Sequence, residues 1–451
     1  MPSNENPQSD PIQVNPNHYI FPFEPNPAWS RCYVGGEEIE QYILNMAEKY
    51  GLKDRVVFNT RVTKSVWNED QGKWALELEQ IDGKVIHDEA DILIDGSGIL
   101  NRWKMPDIKG LDLFSGKLVH TAVWDKSYDW SDKRVAVIGN GSSGIQVVPA
   151  IQPRAARIVN YIRRPTWVSV NLCPDITKDG MGTNFEYTEE ERLKFRNDPE
   201  SFLAYRKTIE NSVNTVYRLM LSGSEHNRIP GDGYLEAMQQ PNAEWCFEVI
   251  HEITKSGIRT TAVEEEFDLI VCATGSDITF IPGWELVGRD GRRLDWEWKK
   301  PPEAYFSICA AGMPNYFIFA GPNCPIGHGS VPQMLAWSAE YMLKWVQKIT
   351  REDIKSIVVN DSAVRAYNRR AQANLRNTVW SKDCKAWYNN EHAVTAMYPG
   401  SVIHFKEAVK DILGEDFDIR YTTSDPFSYL GNGELEWERD AAADLSFYLA
   451  E

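Results

Sequence analysis

The spacing that most directly implies chemistry lies in Arg134-Val135-Ala136-Val137-Ile138-Gly139-Asn140-Gly141-Ser142-Ser143-Gly144. It reads as a buried strand, a G-x-G-x-x-G turn and the start of a helix over Ile145–Ile151. In such a turn Gly139 permits the tight reversal. Gly141 lets the backbone N–H groups approach a pyrophosphate, with Ser142 and Ser143 beside it. Gly144 allows close helix–strand packing. The phosphate would sit over the helix N-terminus, where the peptide dipoles favour negative charge. A second apolar strand, Ile158–Ile162, follows at βαβ distance and runs into Arg163-Arg164-Pro165-Thr166. An acidic residue there would bond a ribose 2′-hydroxyl, whereas arginines suit a 2′-phosphate. The expected ligand of this unit is therefore NADP, the alternative being a Rossmann scaffold kept for shape alone.

Other elements must hold that turn in place. Residues 1 to about 36 lack periodicity but carry a dense aromatic run from Tyr19 to Trp29. Glu37–Tyr50 has Ile39, Tyr42, Ile43 and Met46 at helical spacing, and Gly51 reads as its stop. Short alternating stretches from Val56 to Ile94 predict a β-meander, with Asp82-Gly83 as a two-residue hairpin turn. The strand Asp91–Ile94 ends in Asp95-Gly96-Ser97-Gly98, and Phe267–Val271 ends likewise in Ala273-Thr274-Gly275. Finding this device on either side of the Gly139 unit predicts one domain interrupted by another. Residues 187–222 read as charged helix, and the chain from Val331 as helices alternating with aromatic-rich loops.

At 451 residues the chain can form two or three domains with large cores. A formal net charge of −17 disfavours nucleic acid and anionic membrane surfaces as partners. The 16 Trp and 19 Tyr suit aromatic-lined pockets. Cys32, Cys173, Cys246, Cys272, Cys309, Cys324 and Cys384 are scattered with no C-x-x-C pair, so neither a metal site nor a disulfide framework is expected. Met1–Pro11 lacks the cationic and apolar regions of a signal peptide. No apolar run approaches the ~20 residues of a membrane span. The expectation is a soluble cytoplasmic protein whose partner is a hydrophobic small molecule; the composition does not bear on oligomeric state.

Phe114-Ser115-Gly116-Lys117-Leu118-Val119-His120-Thr121-Ala122-Val123-Trp124-Asp125 matches F-x-G-x-x-x-H-x-x-x-W-[P/D]. On this and on Arg164-Pro165-Thr166-Trp167, Pro230-Gly231-Asp232-Gly233-Tyr234-Leu235-Glu236, Cys272-Ala273-Thr274-Gly275 and Gly327-His328-Gly329-Ser330, the chain resembles class B flavin monooxygenases of Baeyer–Villiger type. The resemblance spans about Tyr19 to Gly433. It implies an α/β fold of two Rossmann-like nucleotide-binding domains with helical insertions, and assigns Gly139, Gly141, Ser142, Ser143, Gly144, Arg163, Arg164 and His120 to an NADP-type site. The domains expected are 1–112, the remnant of a FAD-type domain with its meander; 113–225, an NADP-type domain with a helical insertion; and 226–451, a return to the FAD-type domain. In that family NADPH reduces FAD, which then inserts oxygen into a ketone or hydroxylates a substrate.

Three departures from the family fall on the flavin. The family's first strand and G-x-G-x-x-G are absent from this sequence, so the first domain lacks its N-terminal βαβ unit and FAD binding is in doubt. Gln13 stands where the family has an aspartate. His226 and Asn227 stand where it has a basic pair whose arginine stabilises a peroxide anion, with Arg228 displaced by one position. A neutral side chain cannot supply that charge. The resulting expectation is a redox-neutral enzyme on a monooxygenase scaffold. It would promote cyclisation, Diels–Alder-type cycloaddition or isomerisation of a polycyclic or terpenoid-like intermediate by holding a reactive conformer. His226, Arg228, Tyr234 and His328 are its candidate hydrogen-bonding or acid–base residues. The alternatives are an active FAD- and NADPH-dependent monooxygenase with a truncated gene model, and a ligand-binding pseudoenzyme.

Overall fold

The computed structural model describes residues 15–169, 174–221, 228–231, 233–327, 329–381, 388–390 and 393–449. After the aromatic run comes α1 (Gly36–Lys49), with acidic residues in its first turn, Lys49 in its last, and Ile39 and Tyr42 turned into the core. The expected meander forms as β1 (Thr60–Asn68), β2 (Lys73–Gln80) and β3 (Val85–Ala90), antiparallel to one another. Gly83 takes a positive φ at the tip of the β2–β3 hairpin, and Gln80 and Lys84 close it with a 2.9 Å hydrogen bond. A later strand, β15 (Glu285–Val287), adds to β1 in parallel.

The strand expected over Asp91–Ile94 is β4 (Leu93–Asp95), which pairs in parallel with β16 (Tyr316–Ile318) and, among the described residues, with no other strand. The Ile94 side chain is 44% exposed on one face of this strand.

The central layer is an all-parallel sheet in the order β10-β7-β6-β14-β5. Its members are β5 (Lys117–His120), β6 (Arg134–Ile138), β7 (Arg157–Tyr161), β10 (Ala243–Cys246) and β14 (Leu269–Cys272). Four apolar strands in register read as continuous hydrophobic runs because helices and loops cover both faces. One cover is α2 (Ser142–Ile151), whose Ile145, Val147, Val148 and Ile151 are buried. β10 and β14 lie beyond the boundary expected at 225/226 and pair in the same sheet as β6. The apolar run ending at Ala273 is thus not a flanking echo. It is the strand beside the Gly139 strand.

The helical insertion comprises α3 (Glu189–Asn197), opened by a Thr188/Glu191 capping box, and the long α4 (Pro199–Leu221). Two short strands, β8 (Trp167–Ser169) and β9 (Arg228–Pro230), pair in parallel around it, and β9 leads into the single-turn α5 (Tyr234–Ala237). A small antiparallel sheet of β11 (Ile250–Ile253), β12 (Gly257–Thr260) and β13 (Glu264–Glu266) caps the central sheet. Beyond α6 (Leu294–Glu297), the C-terminal unit packs α7 (Val331–Arg351) on β17 (Ile354–Val359). That unit also contains α8 (Asp361–Leu375), the antiparallel pair of β18 (Asn389–Asn390) and β19 (Ala393–Val394), α9 (Val402–Ala408) and β20 (Phe417–Tyr421). Arg289 joins it to the meander, reaching Glu69, Asp418 and the Ser356 hydroxyl. No helix among the described residues is long and apolar enough to cross a membrane.

Candidate nucleotide and flavin-side site

At the carboxyl end of β6 the chain turns through Gly139 at φ +110°, and a Cβ there would lie 2.5 Å from the Ala273 carbonyl of the adjacent β14. A Cβ on Gly144 would lie 2.3 Å from the Gly139 carbonyl. Both glycines are therefore demanded by close backbone approach. Gly141 differs. It precedes α2 at φ −73°, and a Cβ there would meet nothing within 4 Å. A cradle that a Cβ would fill, at a helix N-terminus whose first N–H groups have no intrahelical acceptor, fits a pyrophosphate.

Sequence reasoning missed the residue that holds this cradle. Asn160, fully buried in β7, donates to the carbonyls of Val137 (3.0 Å) and Gly139 (2.9 Å). Its Oδ1 accepts from the Tyr234 hydroxyl at 2.7 Å, and that hydroxyl accepts in turn from the Trp245 indole. An asparagine within an apolar strand was the available signal, because such a group needs partners inside. Tyr234, a candidate acid–base group, is thus placed in the core at 3% exposure, where burial raises its pKa. Its geometry is that of a buttress for the turn. The neighbouring Gly231 lies against Ile145 of α2, a Cβ there falling 2.4 Å from that side chain.

Arg163 and Arg164 follow β7 and are exposed, and the Asn140 side chain donates to the Arg164 carbonyl at 3.0 Å. This tether sets the arginine pair beside the glycine turn. Ser142 is exposed and Ser143 half-buried at the start of α2. Of the other candidates, Arg228 lies in β9, its backbone opposite Trp167. His226, Asn227, His328 and Gln13 lie outside the described residues.

His120 ends β5, opposite Cys272, and is 2% exposed. Its Nδ1 accepts from the Ala122 N–H at 3.1 Å, which leaves the ring proton on Nε2. The ring stacks on Trp103 with centroids 5.2 Å apart. Burial lowers its pKa, so the neutral form is favoured. Trp103 bridges to Ser276, and Asp277 donates its N–H to the Arg102 carbonyl at 2.7 Å. His120 therefore packs beneath the place where two connecting segments cross.

Beyond the carboxyl ends of β4 and β16 lies a cavity of about 310 Å³, lined among others by Asp95, Ser97, Gly98, Arg61, Arg102, Asp277, Phe280 and Trp284. Asp95 shapes its wall by accepting the Ser97 N–H (2.9 Å) and the Tyr316 hydroxyl (3.1 Å). Aromatic and small residues with two arginines suit one wall of a nucleotide-bearing cofactor. The described residues supply no second glycine turn for its pyrophosphate. No group of three or more His, Cys, Asp or Glu side chains arranged to hold a metal occurs among the described residues.

With this geometry in hand, three comparisons bear on what such a site belongs to. The sequence profile of the family described as flavin-binding monooxygenase-like matches residues 18–220. The FAD-binding monooxygenase tazF of Aspergillus terreus is 56% identical over 471 residues, covering 96% of this chain and 84% of that protein. A Baeyer–Villiger monooxygenase of Streptomyces coelicolor is 30% identical over 426 residues, covering 88% of this chain and 81% of its own. The structure of cyclohexanone monooxygenase from Rhodococcus sp. Phi1 bound to NADP+ superposes with a TM-score of 0.77 at 20% identity, covering 92% of each chain.

Proposed function

The chain belongs to the flavin-binding monooxygenase-like family, an enzyme family of flavin monooxygenase type, and from that premise we propose that it uses NADPH and FAD to oxygenate a hydrophobic small molecule. The observation that carries this reading is the Gly139 turn. Two of its glycines are enforced by backbone contact, the third leaves open room, and an arginine pair is tethered at its side. A scaffold retained for shape alone would need the first of these features and not the other two. Gly139, Gly141, Ser142, Ser143 and Gly144 would hold the pyrophosphate, and Arg163 and Arg164 the 2′-phosphate. When bound, the nicotinamide supplies hydride and the flavin activates oxygen. The chain's own part is to bind, orient and shield: Asn160 and Tyr234 hold the turn, and Asp95 holds the wall of the flavin-side cavity.

A second reading, redox-neutral cyclisation, cycloaddition or isomerisation of a polycyclic substrate, is favoured by Gln13 and Asn227. These are neutral where the family resemblance calls for an acid and a base. One experiment separates the two. The purified protein is titrated with NADPH and FAD while absorbance and NADPH fluorescence are followed, and ketone-bearing aromatic substrates are then supplied with and without NADPH and oxygen. Saturable binding of both cofactors and conversion that requires NADPH and oxygen support the monooxygenase. Conversion that requires neither supports the redox-neutral enzyme and overturns the first reading.

A further inference from the structure

The meander ends its first hairpin with Trp67 directly opposite Trp74. Their rings lie 5.5 Å apart, and Trp74 lies 6.1 Å from the ring of Tyr316. All three side chains are buried in one apolar cluster. The polar partners along this row differ in kind. Tyr316, at the inner end, donates its hydroxyl to Asp95, whose carboxylate helps line the cavity. Trp74, in the middle, donates its indole N–H to the Pro314 carbonyl at 2.8 Å. Trp67, at the outer end, donates to the carboxylate of Glu69 at 2.8 Å, and that carboxylate is 38% exposed. Packing alone accounts for three aromatics in edge-on and tilted contact. At each end of the row the partner is a carboxylate, which can take a proton, and between them it is a peptide carbonyl, which cannot; Glu69 also holds Arg289 and Arg420.

We propose that Tyr316, Trp74 and Trp67 form a one-electron relay that drains oxidising equivalents from the cavity to the surface. A one-electron oxidant in the cavity, natively a reactive oxygen species, takes one electron from Tyr316 as the phenolic proton passes to Asp95. Trp74 then reduces the tyrosyl radical, and Asp95 returns the proton. Trp67 reduces the Trp74 cation, and the Trp67 indole proton moves to Glu69. A surface reductant such as ascorbate supplies the final electron, and Glu69 returns its proton. One electron enters at Glu69 for each that leaves at the cavity. The relay goes beyond the proposed function and protects the site rather than performing its reaction.

The test needs neither cofactor. A ruthenium(II) tris-diimine photo-oxidant is attached through Ser97→Cys, at an exposed position lining the cavity, with the labelled parent as the control for native thiols. After flash-quench with hexaammineruthenium(III), transient absorption should show a tryptophan radical in the labelled variant, and should still show it when the cavity-lining Trp284 is replaced by Phe throughout the series. Adding Trp74→Phe should cut that signal at least about tenfold and leave a tyrosyl radical. Adding Trp67→Phe should keep the signal but slow its decay with ascorbate about tenfold, because Trp74 lies deeper. Asp95→Asn should delay the first step. A tryptophan signal unchanged in Trp74→Phe, or an ascorbate decay unchanged in Trp67→Phe, overturns the relay. Should Trp74→Phe fail to fold by near-ultraviolet circular dichroism, the Trp67→Phe decay decides. Failure of FAD binding is read separately in the titration above, so the two proposals fail independently.

Discussion

Two strand-to-turn units in this molecule look alike in sequence and differ in how they are held. The Gly139 turn leaves the middle of a five-stranded sheet, with paired strands on both sides and a buried asparagine bonding its carbonyl. The Gly96–Gly98 turn leaves β4, a three-residue strand paired on one edge, and a Cβ on Gly98 would meet nothing within 4 Å. The first is a cradle fixed from behind. The second is one wall of a cavity, held by Asp95 and by the Asn101 side chain, which donates to the Ser97 carbonyl. Precise placement of a phosphate needs the first arrangement, because the backbone groups that bind it cannot adjust without moving a core strand.

The glycines offer the sharpest way to break this contrast. Gly139→Val combines a positive φ with a clash against Ala273, and is expected to cost about 3 kcal/mol or more of stability. It should also abolish NADPH binding, by at least about 100-fold in a fluorescence titration. Gly141→Ala should leave the melting transition within about 0.5 kcal/mol of the parent, since the added carbon meets nothing. Its nucleotide affinity should nevertheless fall at least about tenfold, because the Cβ enters the phosphate's space. Equal affinities for Gly141→Ala and parent would show that the turn holds no phosphate.

Next comes the buttress. Asn160→Ala strips partners from two carbonyls and the Tyr234 hydroxyl, an expected loss of about 2–4 kcal/mol in urea unfolding. Tyr234→Phe removes one bond of that set and should cost about 1–2 kcal/mol. If Tyr234→Phe instead melts normally but eliminates turnover, the buttress assignment is wrong and an acid–base role returns. The two sheets can be compared in the same assay. Val271→Thr buries a hydroxyl in the fully enclosed β14 and should cost about 2 kcal/mol. Ile94→Thr, at an exposed side chain of β4, should change stability by less than about 0.5 kcal/mol. Similar losses at both positions would mean that Ile94 is as enclosed as Val271.

The arginine pair tests what the cradle holds. Each of Arg163→Ala and Arg164→Ala should weaken NADPH binding by about 10- to 100-fold through loss of charge-assisted bonds to the 2′-phosphate. NADH, which lacks that phosphate, should bind the variants and the parent alike. A parallel loss for NADH would assign the arginines to the pyrophosphate instead.

What was legible in the chain was local. The G-x-G-x-x-G turn, the βαβ unit, the Asp82-Gly83 hairpin and the helical insertion each depend on residues close in sequence, and each forms where periodicity and turn chemistry place it. Strand order is not local. Nothing in Leu269–Cys272 distinguishes a strand flanking the Gly139 unit from one inserted beside it, because both would be short apolar runs. The same limit hid the buttress: Asn160 and Tyr234 are 74 positions apart, and only folding brings their side chains together. Tyr234 was visible as a polar residue in a motif, which made catalysis the ready interpretation; in the fold its hydroxyl bonds Asn160 and Trp245 in the core.

The smallest predicted effect concerns His120, which lies between the two regions. Burial beneath Trp103 lowers its pKa, and its unfolded value is about 6.5. Between the folded and unfolded values the unfolded chain binds a proton that the folded chain refuses. The sign follows: the stabilising contribution is complete above about pH 6.5 and is lost as the pH falls toward the folded value. The melting temperature of the parent should therefore drop between about pH 7 and pH 5 more steeply than that of His120→Gln, which cannot titrate. Trp103→Ala uncovers the ring and should bring its pKa back toward the ordinary range, read directly from the imidazole resonances. An unchanged slope in His120→Gln would mean that the crossing segments open readily enough to hydrate the imidazolium. The passage between cradle and wall would then be a looser joint than the stacking of His120 on Trp103 implies.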